Sequence, residues 1–171
     1  MNPPIQKFYN LADLSSAGDD VAISAAGEDL ARLAQWAGVD AVTGFEGRIA
    51  LSKVSQTRFS YEAELSADIV QSCVVTLEPV RSHIARSFSR SLHLATGRAA
   101  DRDGTVVLAP GDDDAPEDIE SPRYDLATPL LEELALAIDP YPRAPGVAFE
   151  TPAAPSPEHE SPFAALKKLT R

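Results

Sequence analysis

Few side chains in this sequence are of a type and spacing that could do chemistry. Cys73 is the one cysteine among 171 residues, so an internal disulfide is excluded and a reducing compartment fits. As a nucleophile it would need a nearby base and an electropositive setting. No such partner stands near it in sequence, and a cysteine among valines reads as a small core residue in the middle of a strand. His83, His93 and His159 lack metal-ligand spacing, and one cysteine cannot complete a thiolate zinc site. The carboxylates from Asp112 to Glu120 lack the D-x-D-x-D-G spacing and closing glutamate of a calcium loop, and read as a solvated acidic loop. No phosphate-binding glycine loop, dinucleotide fingerprint or G-x-S-x-G elbow occurs. These residues predict no enzyme, no cofactor and no metal site.

Binding is the chemistry that is left. Arg81, Arg86, Arg90 and Arg98 fall between Pro79 and Ala100, a stretch without a single acid. Arginine meets phosphate oxygens bidentately without reading a base, so these four are candidate RNA contacts. The plainer alternative is a solvated strand face. Against RNA stands the whole-chain balance of 15 Lys+Arg and 26 Asp+Glu, a net charge of −11, where a simple nucleic-acid-binding domain runs basic. The acids concentrate between Asp101 and Glu160, so the chain is acidic on average and locally basic, and its overall sign does not name the partner.

The elements that must position these residues follow from the hydrophobic period. Pro4 to Leu14 is a plausible first strand and Val21 to Ser24 a short alternating one. Leu30, Leu33, Ala34 and Ala37 recur at helical spacing over Gly27 to Ala37, with Gly38 placed to stop the helix. From Ala41 the period is two: Phe45, Ile49 and Leu51 face inward, and after a K-V-S-Q turn so do Phe59, Tyr61, Ala63 and Leu65, as an antiparallel pair with one wet face. Ile69 to Leu77 reads as a separate buried strand that Pro79 ends or bends, and Arg81 to Ala95 as a further strand. Gly97 to Pro122 is acidic and loop-like, with a last short strand at Thr105 to Ala109. Tyr124 to Ile138 is the clearest helix, with Thr128 as N-cap and Pro129 in its first turn. Prolines crowd residues 143–160 into a flexible linker. Residues 161–171 form a short helix with Ser161 as cap; Phe163, Leu166 and Leu169 share one face, with Lys167 and Lys168 near its C-terminal end. That helix is a candidate partner-docking element. No apolar run approaches the ~20 residues needed to span a bilayer, nor is there a signal-peptide core, so a soluble, cytoplasmic protein without membrane contact is expected.

Three stretches in this order resemble the YceD family, the large ribosomal RNA subunit accumulation proteins. They are S-C-V-V-T-L-E-P-V (Ser72 to Val80), Y-D-L-A-T-P-L-L-E-E-L-A-L-A-I-D-P-Y-P-R-A-P-G (Tyr124 to Gly146) and S-P-F-A-A-L-K-K-L (Ser161 to Leu169). The family pattern is C-x-x-C followed by Leu-Glu-Pro; this chain has Cys73, Leu77, Glu78 and Pro79, but Thr76 at the second cysteine. That departure removes a two-thiolate metal or redox role here. The resemblance implies a part in accumulation or processing of large-subunit rRNA, and brings no catalytic residues with it. The fold expected is α+β: an antiparallel, strongly curved sheet packed by two helices over residues 1–142, followed by the linker and the docking helix. The implied partners are large-subunit rRNA or a basic ribosomal protein. A protein adaptor working through the C-terminal helix without RNA contact is the alternative.

Overall fold

A computed structural model describes residues 3–95 and 116–148. The elements are β1 (Phe8–Asn10), β2 (Asp19–Ser24), α1 (Glu28–Ala37), β3 (Ala41–Lys53), β4 (Arg58–Ser72), β5 (Pro79–Leu94), β6 (Glu117–Ile119), β7 (Arg123–Asp125) and α2 (Ala127–Ala137). Five strands form one sheet in the order β2-β3-β4-β5-β6, antiparallel from β2 to β5, with β6 parallel to β5; β1 and β7 pair separately. This is the α+β architecture that the sequence predicts.

The period of two explains the sheet. On β4 every second residue from Phe59 to Gln71 is buried, without interruption, so β4 is one long strand where two were expected. On β3 the buried set is Phe45, Gly47, Ile49 and Leu51. A bulge between Val42 and Gly44 shifts the phase, which turns Val42 inward although simple alternation assigns it to the wet face. The chain turns between β3 and β4 at Val54–Thr57, where Ser55 Oγ accepts from the amides of Thr57 (3.3 Å) and Arg58 (3.1 Å).

One side of the sheet is covered. Leu33 and Ala34 of α1, and Leu130, Leu131 and Leu134 of α2, are buried in the same core as the inward strand residues. Each such leucine contributes roughly 1.5–3 kcal/mol by leaving water. α2 comes so close to β3 that a Cβ on Gly47 would stand 2.3 Å from Leu130 Cδ1. Gly47 is therefore glycine for space, and its position fixes the helix against the sheet.

Several boundaries differ from the sequence reading. Cys73 is the first residue of the β4–β5 connection and not in mid-strand, and the strand expected to run on to Leu77 stops at Ser72. Pro79 opens β5 opposite Ser72; a missing N–H is harmless at a strand's first residue. β6 lies in the stretch expected to be an irregular loop, and β7 takes up the first residues of the stretch expected to be helical. α2 begins at Ala127, because Tyr124 and Asp125 belong to β7. Its first turn is held by Asp125, whose carboxylate accepts from Ala127 N (3.1 Å), Thr128 Oγ1 (3.2 Å) and Lys7 N (2.7 Å). Thr128, the expected cap, is thus a donor inside the helix. The strand expected at Thr105 to Ala109, the linker from residue 149 on, and the docking helix lie outside the described residues.

Candidate functional site

The β4–β5 connection, Cys73 to Glu78, is a tight loop closed by Cys73 N donating to the Glu78 carbonyl (2.8 Å) and Leu77 N to the Cys73 carbonyl (2.9 Å). Leu77 sits at φ +61°, a left-handed conformation that costs a non-glycine residue energy. The Cys73 side chain is fully buried, and its Sγ accepts from the amides of Thr76 (3.5 Å) and Ala144 (3.4 Å). Val74 N donates to the Pro142 carbonyl (2.9 Å) and Gln71 Nε2 to the Asp139 carbonyl (2.9 Å). The loop thereby clasps the segment that follows α2, and Cys73 is a polar anchor of that clasp. Hydrogen bonds from the Thr76 side chain, then from the amides of Ala144, Thr76 and Val75, outweigh burial and bring its pKa down to about 6. With no exposed surface, the thiolate these donors favour faces no substrate. Glu78 N donates to Thr76 Oγ1 (3.4 Å), and Val74, Val75 and Leu77 form an exposed apolar tip.

The arginines do not gather. On β5, Arg81 lies opposite Val70, Arg86 opposite Leu65 and Arg90 opposite Tyr61. Directly paired residues project to the same face, so Arg86 and Arg90 share the core-side face and Arg81 takes the other. Arg90 is engaged within the fold: its guanidinium meets Glu132 Oε2 at 2.8 Å and Glu133 Oε1 at 3.6 Å, and lies 5.5 Å from the centre of the Phe88 ring. Burial is the largest single influence and works against its charge, but the bond to Glu132 together with the neighbouring Tyr61, Glu132 and Tyr124 outweighs it and raises its pKa. Arg81 and Arg86 are exposed. Arg98 lies outside the described residues, as do Phe163, Leu166, Lys167, Lys168 and Leu169.

Two features that the sequence reading missed stand out. The first is a 740 Å³ cavity on the wet face of the sheet, lined by Ala22, Ser24, Ser66, Ala85 and Ser87 with Asp20, Glu46, Arg48, Glu64 and Arg86, which adjoins a 540 Å³ cavity reaching Glu62. Arg48 bonds to Asp20 at 3.3 Å. Small side chains form the floor and carboxylates outnumber cations. The second is the edge of β5. This strand pairs with β4 along its length, but with β6 only at Leu92–Leu94. Among the described residues, Pro79–Ser91 has no strand on its other side. α2 runs beside that edge and leaves two cavities. One, of 380 Å³, is lined by Ser82 to Arg86 with Ile69, Gln71, Ala137 and Asp139. The other, of 690 Å³, is lined by Phe88 to Ser91 with Glu117, Glu132 and Glu133. Gln71 Oε1 is buried there without a hydrogen-bond partner among the described residues. Its signal was legible: carrying the alternation of β4 two residues past Ile69 sets a glutamine on the apolar face.

Among the described residues no three His, Cys, Asp or Glu side chains converge as metal ligands, and no helix is long and apolar enough to cross a membrane. No curated protein and no solved structure matches this chain significantly. Residues 61–170, which take in most of β4 and all of β5, β6, β7, α2 and the Cys73 loop, match the family described as large ribosomal RNA subunit accumulation protein YceD, and the chain belongs to that family.

Proposed function

We propose that this chain is a non-catalytic accessory factor of large-subunit biogenesis, which promotes accumulation or processing of large-subunit rRNA by binding rRNA or a basic ribosomal protein. The observation that carries this reading is the family match over residues 61–170, whose description names large-subunit rRNA accumulation. The geometry supports binding over chemistry, since the one thiol is buried in a structural loop. Contact with rRNA falls to the exposed Arg81 and Arg86, with Arg98 following in sequence; Arg90 serves α2. A basic protein partner is favoured by the acids on the solvent face of the sheet and by the net charge of −11.

Co-sedimentation with large-subunit precursors tests this reading. The chain is expected to travel with the precursors. If rRNA is the contact, the bound fraction falls steeply as salt is raised, because each neutralised phosphate releases counterions, and Arg81→Ala with Arg86→Ala lowers it further. Loss of binding on deleting residues 161–171, with the arginine variant intact, assigns the contact to the C-terminal segment. A chain that never enters the precursor fractions contradicts the reading.

A further inference from the structure

A strand edge presents a row of backbone N–H and C=O groups that require partners. β5 presents such an edge over Pro79–Ser91, among the described residues, and β6 shows at Leu92–Leu94 that the edge accepts a parallel strand. α2 flanks the same edge, and the 380 and 690 Å³ cavities lie along it, each lined by consecutive β5 residues, Ser82 to Arg86 and Phe88 to Ser91. A sheet edge beside a helix, with pockets for alternate side chains, is the geometry of strand addition. We propose that this groove takes an extended, basic segment of a partner protein, which adds to the sheet beside β5 and sets a lysine or arginine among Glu117, Glu132 and Glu133.

Two observations define the occupant's chemistry. In the smaller cavity Gln71, 9% exposed, holds its amide by Nε2 to the Asp139 carbonyl while Oε1 has no partner among the described residues. A buried acceptor left empty calls for an N–H or O–H donor, which an incoming amide or hydroxyl supplies once the Gln71 side chain turns its oxygen toward the groove. In the larger cavity three carboxylates face one cation, and Arg90 is already shared between Glu132 and Glu133. The surplus is negative, so it attracts a cationic side chain and repels a phosphate backbone. The groove thus selects protein over RNA. It rests on the function proposed above only in taking the partner from the assembling subunit.

The test uses the full chain and a twelve-residue peptide that alternates lysine with valine. Amide hydrogen exchange within Pro79–Ser91 is expected to slow when the peptide is added. Placing proline at every second position of the peptide, replacing its lysines by glutamate, or introducing Glu117→Lys in a chain of unchanged circular dichroism is expected to weaken binding at least about tenfold, equivalent to about 1.4 kcal/mol. Four results overturn the proposal. They are edge amides already slow in the free chain at any dilution, which assigns the edge to a segment of the chain itself; slowing that needs only a rise in protein concentration, which assigns it to a second copy; slowing by oligouridine but not by the peptide; and equal affinity for the proline-bearing peptide. The peptide result stands apart from co-sedimentation, so failure of one leaves the other interpretable.

Discussion

At the scale of single residues, Cys73 does most to explain the loop it starts. Amide and hydroxyl donors converge on its sulfur, and the pKa near 6 follows from them. An unfolded thiol titrates near 8.5. The folded chain therefore binds the proton less tightly than the unfolded chain, and this group's stabilisation is complete above the unfolded pKa and lost as pH falls through about 6. Cys73→Ser is accordingly expected to lower the urea midpoint more at pH 9 than at pH 5.5. An equal loss at both would show that the sulfur serves only by packing. The sequence pointed to Cys73 but misplaced it: the apolar run I-V-Q-S-C-V-V hides the period, and only the exposure of Val74 and Val75 shows that the strand has ended. Arg90 was misjudged for a different reason. Its partners, Glu132 and Glu133, lie some forty positions away in sequence, and no local pattern joins them.

At the scale of elements, α2 owes its start to Asp125 and its place to Gly47. Removing the carboxylate leaves Ala127 N, Thr128 Oγ1 and Lys7 N without their acceptor. Asp125→Ala is therefore expected to cost about 1–2 kcal/mol in chemical denaturation, and Thr128→Ala clearly less. The reverse order would restore Thr128 as the cap. The long elements were legible because each carries its own period: α1 in Leu30, Leu33, Ala34 and Ala37, β4 in every second residue from Phe59. The short strands were not. β6 exists through Leu92↔Glu117 and Leu94↔Ile119, and β7 through Phe8↔Asp125 and Asn10↔Arg123. Three-residue strands have no periodicity of their own and depend on partners far away in the chain.

At the scale of the whole molecule, charge and topology divide the work. The helices cover one face of the sheet; the other carries more acid than base, and β5 leaves its edge open among the described residues. These are surfaces for association, in a chain whose family is described by the accumulation of large-subunit rRNA. The candidate site was legible only in outline. Arginines were visible as a run, while their distribution over two faces depended on the register with β4. The measurement that bears most directly on the proposed function is the ratio of large- to small-subunit rRNA in cells deprived of this chain, then supplied with the wild type or with Cys73→Ala at matched folded abundance. The ratio is expected to fall without the chain and to recover with both forms. An unchanged ratio on depletion would contradict a role in rRNA accumulation, and recovery with the wild type alone would contradict a non-catalytic one.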